Sequence, residues 1–354
     1  MITFNPWPRD YQYFKKEYDN IFQTSMSYTN ESSENFEEDI AYLVGRKYAI
    51  AVNSATDALH FSLAAYDIGP GDEVLVSNFS WISSASAVKM VDADPVFCDI
   101  DEDTYCISLD SCKRMKTDHT RAVIYTPLFG ITTDTTELEE WCTENGLILI
   151  EDSAQAWGAK YGDKKAGTVG DISSFSFNTN KVVSSPVGGG VILTDDMEIA
   201  SICSRLRRHG NGDFLGRNSK MYPLATNILK FRIKNEDQFV LIRQNMAEYY
   251  NGEFKHLRPV VPHNAVFHNY HKYTLRLEDC DHRSFVMQML RKADIESDVK
   301  YPKLLTDNLL FAACQSDSTP IADEVCDTIM TIPNHAMLNE AETQKIIDVL
   351  LASV

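Results

Sequence analysis

Between residues 48 and 195 the chain alternates short apolar runs with helical stretches. The apolar runs are 48–52, 73–77, 95–99, 122–125, 147–151, 172–177 and 191–194. Their length and β-branched content suit strands. The stretches 56–66, 82–91 and 136–145 between them read as helices. Strands separated by helices need crossover connections, which predicts a mostly parallel sheet covered on both faces. Residues 122–125 and 147–150 are apolar at every position, as in strands buried on both sides.

Beyond about residue 230 the pattern changes. A charged helix is predicted over 235–254, a short strand over 270–277, and helices over 282–293 and 339–351. The expected fold class is α/β. A large domain, residues 1–230, carries a mostly parallel seven-stranded sheet flanked by helices. A smaller C-terminal α+β domain, residues 231–354, is joined to it through the long helix.

Composition narrows the function. The formal net charge is −18, from 33 basic and 51 acidic side chains. Such a surface repels nucleic acid and anionic lipid, so neither is an expected partner. A phosphorylated ligand stays open, because a helix start and a few lysines hold an anion whatever the net charge. The eight cysteines form no C-x-x-C pair and no His cluster completes a zinc pattern, so no metal is expected. Scattered cysteines favour a reducing, cytoplasmic setting. The first residues lack the pattern of a secretory signal, and no run approaches the length of a membrane span.

Several residues offer chemistry, each with a plainer reading beside it. Ser54 follows a strand and opens a helix at Asn53-Ser54-Ala55-Thr56. It is either an ordinary N-cap or part of a phosphate cradle, with the Thr56 hydroxyl as a further donor. Trp81 lies just past a strand end and serves either the core or a planar heterocycle. Asp152 ends an apolar strand, where a carboxylate is costly unless paired. It caps a turn or pairs with a protonated ring nitrogen, and Gln155 lies three residues on. Ser176 and Lys181 stand five residues apart, shortly before Gly188-Gly189-Gly190. A lysine there is either a surface residue or the Schiff-base anchor of a carbonyl cofactor such as pyridoxal phosphate. The triple glycine precedes a strand, so it is not a dinucleotide fingerprint.

The order of these motifs resembles the DegT/DnrJ/EryC1/StrS family of sugar aminotransferases, of the type I aspartate aminotransferase fold. The resemblance rests on Asn53–Leu59, Gly69–Val74, Asp92–Ile100, Ile150–Ala159, Gly167–Gly189, Leu206–Gly210 and Gly216–Met221. It implies that Lys181 is the Schiff-base lysine, that Asp152 faces the pyridine nitrogen, and that Gln155 contacts the phenolic oxygen. Trp81 would stack on the ring, and Ala55, Thr56 and Ser176 would hold the phosphate. Asn218 would reach the site of a neighbouring subunit, implying a homodimer. His209, Lys220, Lys300 and Tyr301 are the candidate substrate contacts.

The implied activity moves an amino group from L-glutamate to a nucleotide-linked keto sugar, with a 4-keto-6-deoxy sugar expected and a 3-keto sugar as the alternative. Lys181, in place of the histidine of sugar 3-dehydratases, argues against dehydration. A regulatory protein on the same fold would be expected to have lost Lys181, Asp152 or the phosphate contacts, and this chain keeps them. The chain departs from the family pattern at Ser219-Lys220, Val187, Ala225–Ile228 and in the run 24–30, which lacks a glycine-bounded loop. These differences bear on the substrate.

Overall fold

A computed structural model of the chain describes residues 1–25, 30–259 and 266–354. Residues 26–29 of the run 24–30 lie outside the described residues.

Seven strands form the main sheet: β1 (Tyr48–Val52), β2 (Glu73–Ser77), β3 (Asp94–Cys98), β4 (Thr120–Tyr125), β5 (Ile148–Asp152), β6 (Ile172–Ser176) and β7 (Gly190–Thr194). Their order across the sheet is β1-β7-β6-β5-β4-β2-β3. The strands from β3 to β6 run parallel, whereas β7 runs antiparallel to both its neighbours. The apolar runs locate these strands to within a residue or two. The reversal of β7 leaves no mark on them, because Val191-Ile192-Leu193 is buried on both faces whichever way it runs.

Alternate side chains on each strand feed two apolar layers. Val76, Ile124, Ile150 and Ile172 pack on one face against Leu59 and Phe61 of the helix Ala55–Ala65 and Cys203 of the helix Met197–Leu206. On the opposite face, Leu75, Val123 and Leu149 meet Cys112, Leu138 and Cys142, while Ala51, Phe175 and Val191 meet Phe36 and Ile40 of the helix Asn30–Val44. The period of two along a strand puts one row of side chains into each layer.

The C-terminal residues build a separate apolar cluster. Two antiparallel strands, β8 (Tyr273–Arg276) and β9 (Ile329–Ile332), pack with the helices Glu236–Glu253, Cys280–Lys292 and Glu340–Leu351. Asn339 and Glu342 close a capping box at the start of the last helix. Ile2 also packs into this cluster and pairs with Ile295, which pins the N-terminal residues beside it. Most cysteines are buried, but Cys314 is half-buried and Cys280 is exposed. Among the described residues no helix is long and apolar enough to cross a membrane.

The β1–β7 edge prepares the ground for a site. Gly190 opens β7 directly beneath the start of the helix Ala55–Ala65. A Cβ on Gly190 would stand 2.4 Å from the Ser54 carbonyl carbon and 2.6 Å from the Ala55 nitrogen. Both are backbone atoms that cannot turn aside. Gly190→Ala is therefore expected to cost about 1–3 kcal/mol through overpacking and to displace the helix start. A lowered melting temperature together with weaker binding of the phosphorylated cofactor that the sequence resemblance implies would report both effects. An unchanged melting temperature would show that the helix start yields freely.

Candidate active site

A cavity of about 210 Å³ opens at the carboxyl ends of the parallel strands. Crevices outside these strand ends are where open α/β sheets bind ligands. Each strand places a different group there. After β1 come Ser54, Ala55 and Thr56; β5 ends on Asp152; β6 ends on Ser176 and leads to Lys181. Gly188 and Gly189, just before β7, line the same cavity. Lys272 and Tyr301 enter from the C-terminal part of the chain.

The helix start carries free donors. Ser54 is the N-cap, and its Oγ accepts a hydrogen bond from the Asp57 amide at 3.1 Å. The Ala55 and Thr56 amides have no acceptor within the helix, as at any helix start. The Thr56 and Ser83 hydroxyls are 2.8 Å apart. Amides and hydroxyls converging at a helix N-terminus suit an anion.

Asp152 is buried, and water loss pushes its carboxyl above the usual range. Ser84 donates to Asp152 Oδ2 at 2.8 Å and the Ala154 amide to Oδ1 at 3.3 Å. The positive charge of Lys181 also favours the ionised form. The carboxylate is thus partly satisfied and retains capacity for a cationic partner. Lys181 is half-buried, and loss of water brings its ammonium down to about 8, against the opposing pull of Asp152. At neutral pH about a tenth of it is the free amine, far more than for an ordinary lysine.

Gln155 has both ends of its amide engaged. Its Oε1 accepts from the Phe129 amide at 3.0 Å, and its Nε2 donates to the Tyr301 hydroxyl at 2.8 Å. The second N–H of that amide remains free to donate into the cavity. Phe129 and Tyr301 both adopt positive φ, at 57° and 55°. Such strain in bulky residues persists where the surroundings over-determine it, commonly at a functional site. Trp81 is 59% exposed and caps the helix Ile82–Lys89 without filling the core.

The cavity brings together Ala55, Thr56, Trp81, Asp152, Gln155, Ser176, Lys181, Lys300 and Tyr301 from among the residues singled out by sequence. It does not include His209, Asn218 or Lys220. These three lie on a segment stitched to the β1 end, where the Asn53 amide donates to the Ser219 carbonyl at 3.0 Å and Ser219 Oγ donates to Asp57 at 2.6 Å. His209 and Asn218 are exposed. Sequence reasoning missed Ser84, Phe129, His271 and Lys272. The one available signal was a lysine, Lys272, directly before a strand whose residues are all buried.

Residues 9–351 match the model of the DegT/DnrJ/EryC1/StrS aminotransferase family. The chain belongs to this family. This aminotransferase is 30% identical over 321 residues to the UDP-N-acetyl-3-dehydro-alpha-D-glucosamine 3-aminotransferase of Acidithiobacillus ferrooxidans, covering 89% of this chain and 86% of that protein. It is 33% identical over 276 residues to the GDP-perosamine synthase of Vibrio cholerae, covering 75% of each chain. Its fold matches that of S. venezuelae DesV, solved in complex with a ketimine intermediate, with a TM-score of 0.94 and 26% identity; 99% of this chain and 98% of that one are covered. The sheet and the cavity at its strand ends thus belong to a fold shared with DesV.

Proposed function

We propose that the enzyme binds pyridoxal phosphate and transfers an amino group from an amino acid, L-glutamate as first choice, to a nucleotide-linked keto sugar. The observation that carries this reading is Lys181 sharing one cavity with Asp152 and with the donor-rich helix start at Ala55. The residues fit the cofactor. Ala55, Thr56 and Ser176 offer amides and hydroxyls to the phosphate, Asp152 offers a buried charge to a ring nitrogen, and Trp81 offers a flat face to the ring. When bound, the cofactor supplies a carbonyl for the amino group and an electron-accepting ring.

The chain's own residues do the rest. Lys181 Nζ would hold the cofactor covalently and, as a free neutral amine, would take the proton that leaves the donor's α-carbon. Its lowered pKa makes the neutral form available for that transfer. Asp152 keeps the ring protonated by charge pairing. Gln155, held by Phe129 and Tyr301 at the cavity wall, has a second N–H to offer the cofactor.

For the acceptor we favour a 3-keto sugar, since the Acidithiobacillus relative is named for a 3-dehydro sugar. The 4-keto-6-deoxy sugar is the second reading. We further propose a homodimer in which Asn218, exposed in its own chain, completes the partner's site. The chain divides near residue 230, and the setting is cytoplasmic.

The test is a panel of UDP-, GDP- and dTDP-linked 3-keto and 4-keto sugars with glutamate as donor. One acceptor should yield an amino sugar and 2-oxoglutarate in equal amounts, identified by mass spectrometry and NMR. A deoxygenated product without nitrogen would replace transfer by dehydration. No aminated product from any acceptor or donor would sink the reading.

A further inference from the structure

The roles assigned so far leave one cation in the cavity unexplained. Lys272 is 7% exposed and lines the cavity with Lys181 and Lys300. Among the described residues its Nζ makes no hydrogen bond and no ion pair; it lies 4.9 Å from the centre of the Phe4 ring. Lys300 stands 5.7 Å from the same ring and is paired with Asp298. The neighbouring His271 is 5% exposed, and its Nδ1 has no partner. Buried lysines are almost always paired, because an isolated ammonium in a dry site is costly. The fold nonetheless holds this one in place, directly before β8, with its backbone amide donating to the Phe129 carbonyl at 3.3 Å.

We propose that Lys272 is a specificity residue that receives a carboxylate of the substrate. This rests on the functional reading above, which already commits Lys181, Asp152 and the helix start at Ala55 to the cofactor. Among the described residues lining the cavity, Lys181 faces the carboxylate of Asp152 and Lys300 is held by Asp298, which leaves Lys272 as the cation free for an anionic group of the reacting molecule. Position favours a carboxylate over a diphosphate: Lys272 lines the same cavity as Lys181, whose amine is proposed to work at the reacting carbon, so a carboxylate carried close to that carbon reaches it. Two molecules bring such a group. One is the amino donor, through its own carboxylates. The other is an acceptor sugar that carries an acid in place of a hydroxymethyl.

Charge state gives the interaction a pH signature. Burial, together with the positive charges of Lys300, Arg243 and Lys181, brings Lys272 down to about 7, while Asp298 opposes them. His271, beside it, stays neutral because burial and the same cations push its pKa far down. Lys272 thus loses its charge as pH rises through about 7. Carboxylate affinity should fall over the same range, since a bound anion favours the protonated lysine.

The experiment is calorimetric binding to the protein loaded with pyridoxal phosphate, wild type against Lys272→Met. Methionine keeps length and apolar bulk and gives up only the contact of the ammonium with the Phe4 ring. The probes do not react: glutarate for the donor, and UDP- and dTDP-glucuronate against UDP- and dTDP-glucose for the acceptor. The expected result is about a tenfold loss of affinity for glutarate or for a glucuronate probe, with the glucose probes unchanged. Which probe responds identifies the source of the carboxylate. In the wild type that affinity should fall as pH rises through about 7, and in the variant this part of the slope should vanish. Lys272→Arg should recover part of the loss. Equal weakening of glucose and glucuronate probes would give Lys272 to the diphosphate and overturn the assignment. So would wild-type protein that binds neither carboxylate probe, or a variant that binds them as well as wild type. A chain that takes up no pyridoxal phosphate sinks the functional reading itself; normal uptake with unchanged probe binding sinks only this one.

Discussion

Lys181→Ala is expected to reduce repeated transamination on the order of 10⁴-fold, because the proposed mechanism makes this residue both the covalent anchor and the proton carrier. The two other lysines lining the cavity, among the described residues, are assigned elsewhere: Lys300 is held by Asp298, and Lys272 is proposed to receive a substrate carboxylate. The fold should survive, since Lys181 is a half-buried loop residue after β6 and its backbone amide already bonds the Asn178 carbonyl at 2.9 Å. The variant should still retain the cofactor without a covalent bond, through the donors at Ala55, Thr56 and Ser176. The visible absorption band of the bound cofactor would therefore shift but not disappear. Small primary amines added to the variant should restore part of the proton transfer. Turnover at the wild-type rate in this variant would remove Lys181 from the centre of the mechanism.

Asp152→Asn should lower kcat roughly 10²- to 10³-fold, the scale seen when one preorganised electrostatic contact is lost from an active site. The side chain keeps its shape but loses the charge proposed to hold a ring nitrogen protonated. Only one oxygen then remains to accept from Ser84 or Ala154, which both donate to Asp152. Stability should not suffer. Burial penalises the Asp152 carboxylate in the folded protein, so a neutral amide removes a cost. A melting temperature at or above that of the wild type, with a changed cofactor spectrum, would separate the electrostatic role from a structural one. A kcat within about twofold of the wild type would leave Asp152 as a turn cap.

How much of this was legible in advance differs by region. The sheet strands were readable because a strand buried on both faces must be apolar at nearly every position, as in 122–125 and 147–150. The helices Trp7–Tyr13, Lys15–Thr24 and Asn30–Val44 were not read. Their sequences are polar over most positions, and only tertiary contacts give them a buried face. Asp10, for instance, is buried against Arg232 at 2.7 Å and Tyr18 at 2.6 Å, which nothing near it in sequence announces. Strands β8 and β9 pair across more than fifty residues, and only β8 was marked by its local pattern.

The site divides along the same line. Lys181, Asp152, Ser176 and the Asn53–Leu59 run carry their meaning in local context: a strand end, a helix start, a glycine run at fixed spacing. Sequence by itself determined most of the strand-and-helix framework, which depends on short-range pattern, and pointed to the cofactor chemistry through the order of motifs along the whole chain. Only the tertiary structure decided which distant side chains share the cavity. It brought Lys272, Lys300 and Tyr301 to Lys181, left His209, Asn218 and Lys220 outside, and turned β7 around so that Gly190 meets Ser54. Convergence of that kind follows from the packing of one part of the chain on another, and no local run of residues records it. Lysine 181 was recognisable from its neighbours in sequence; the unpaired charge of Lys272 became visible only once the chain was folded around it.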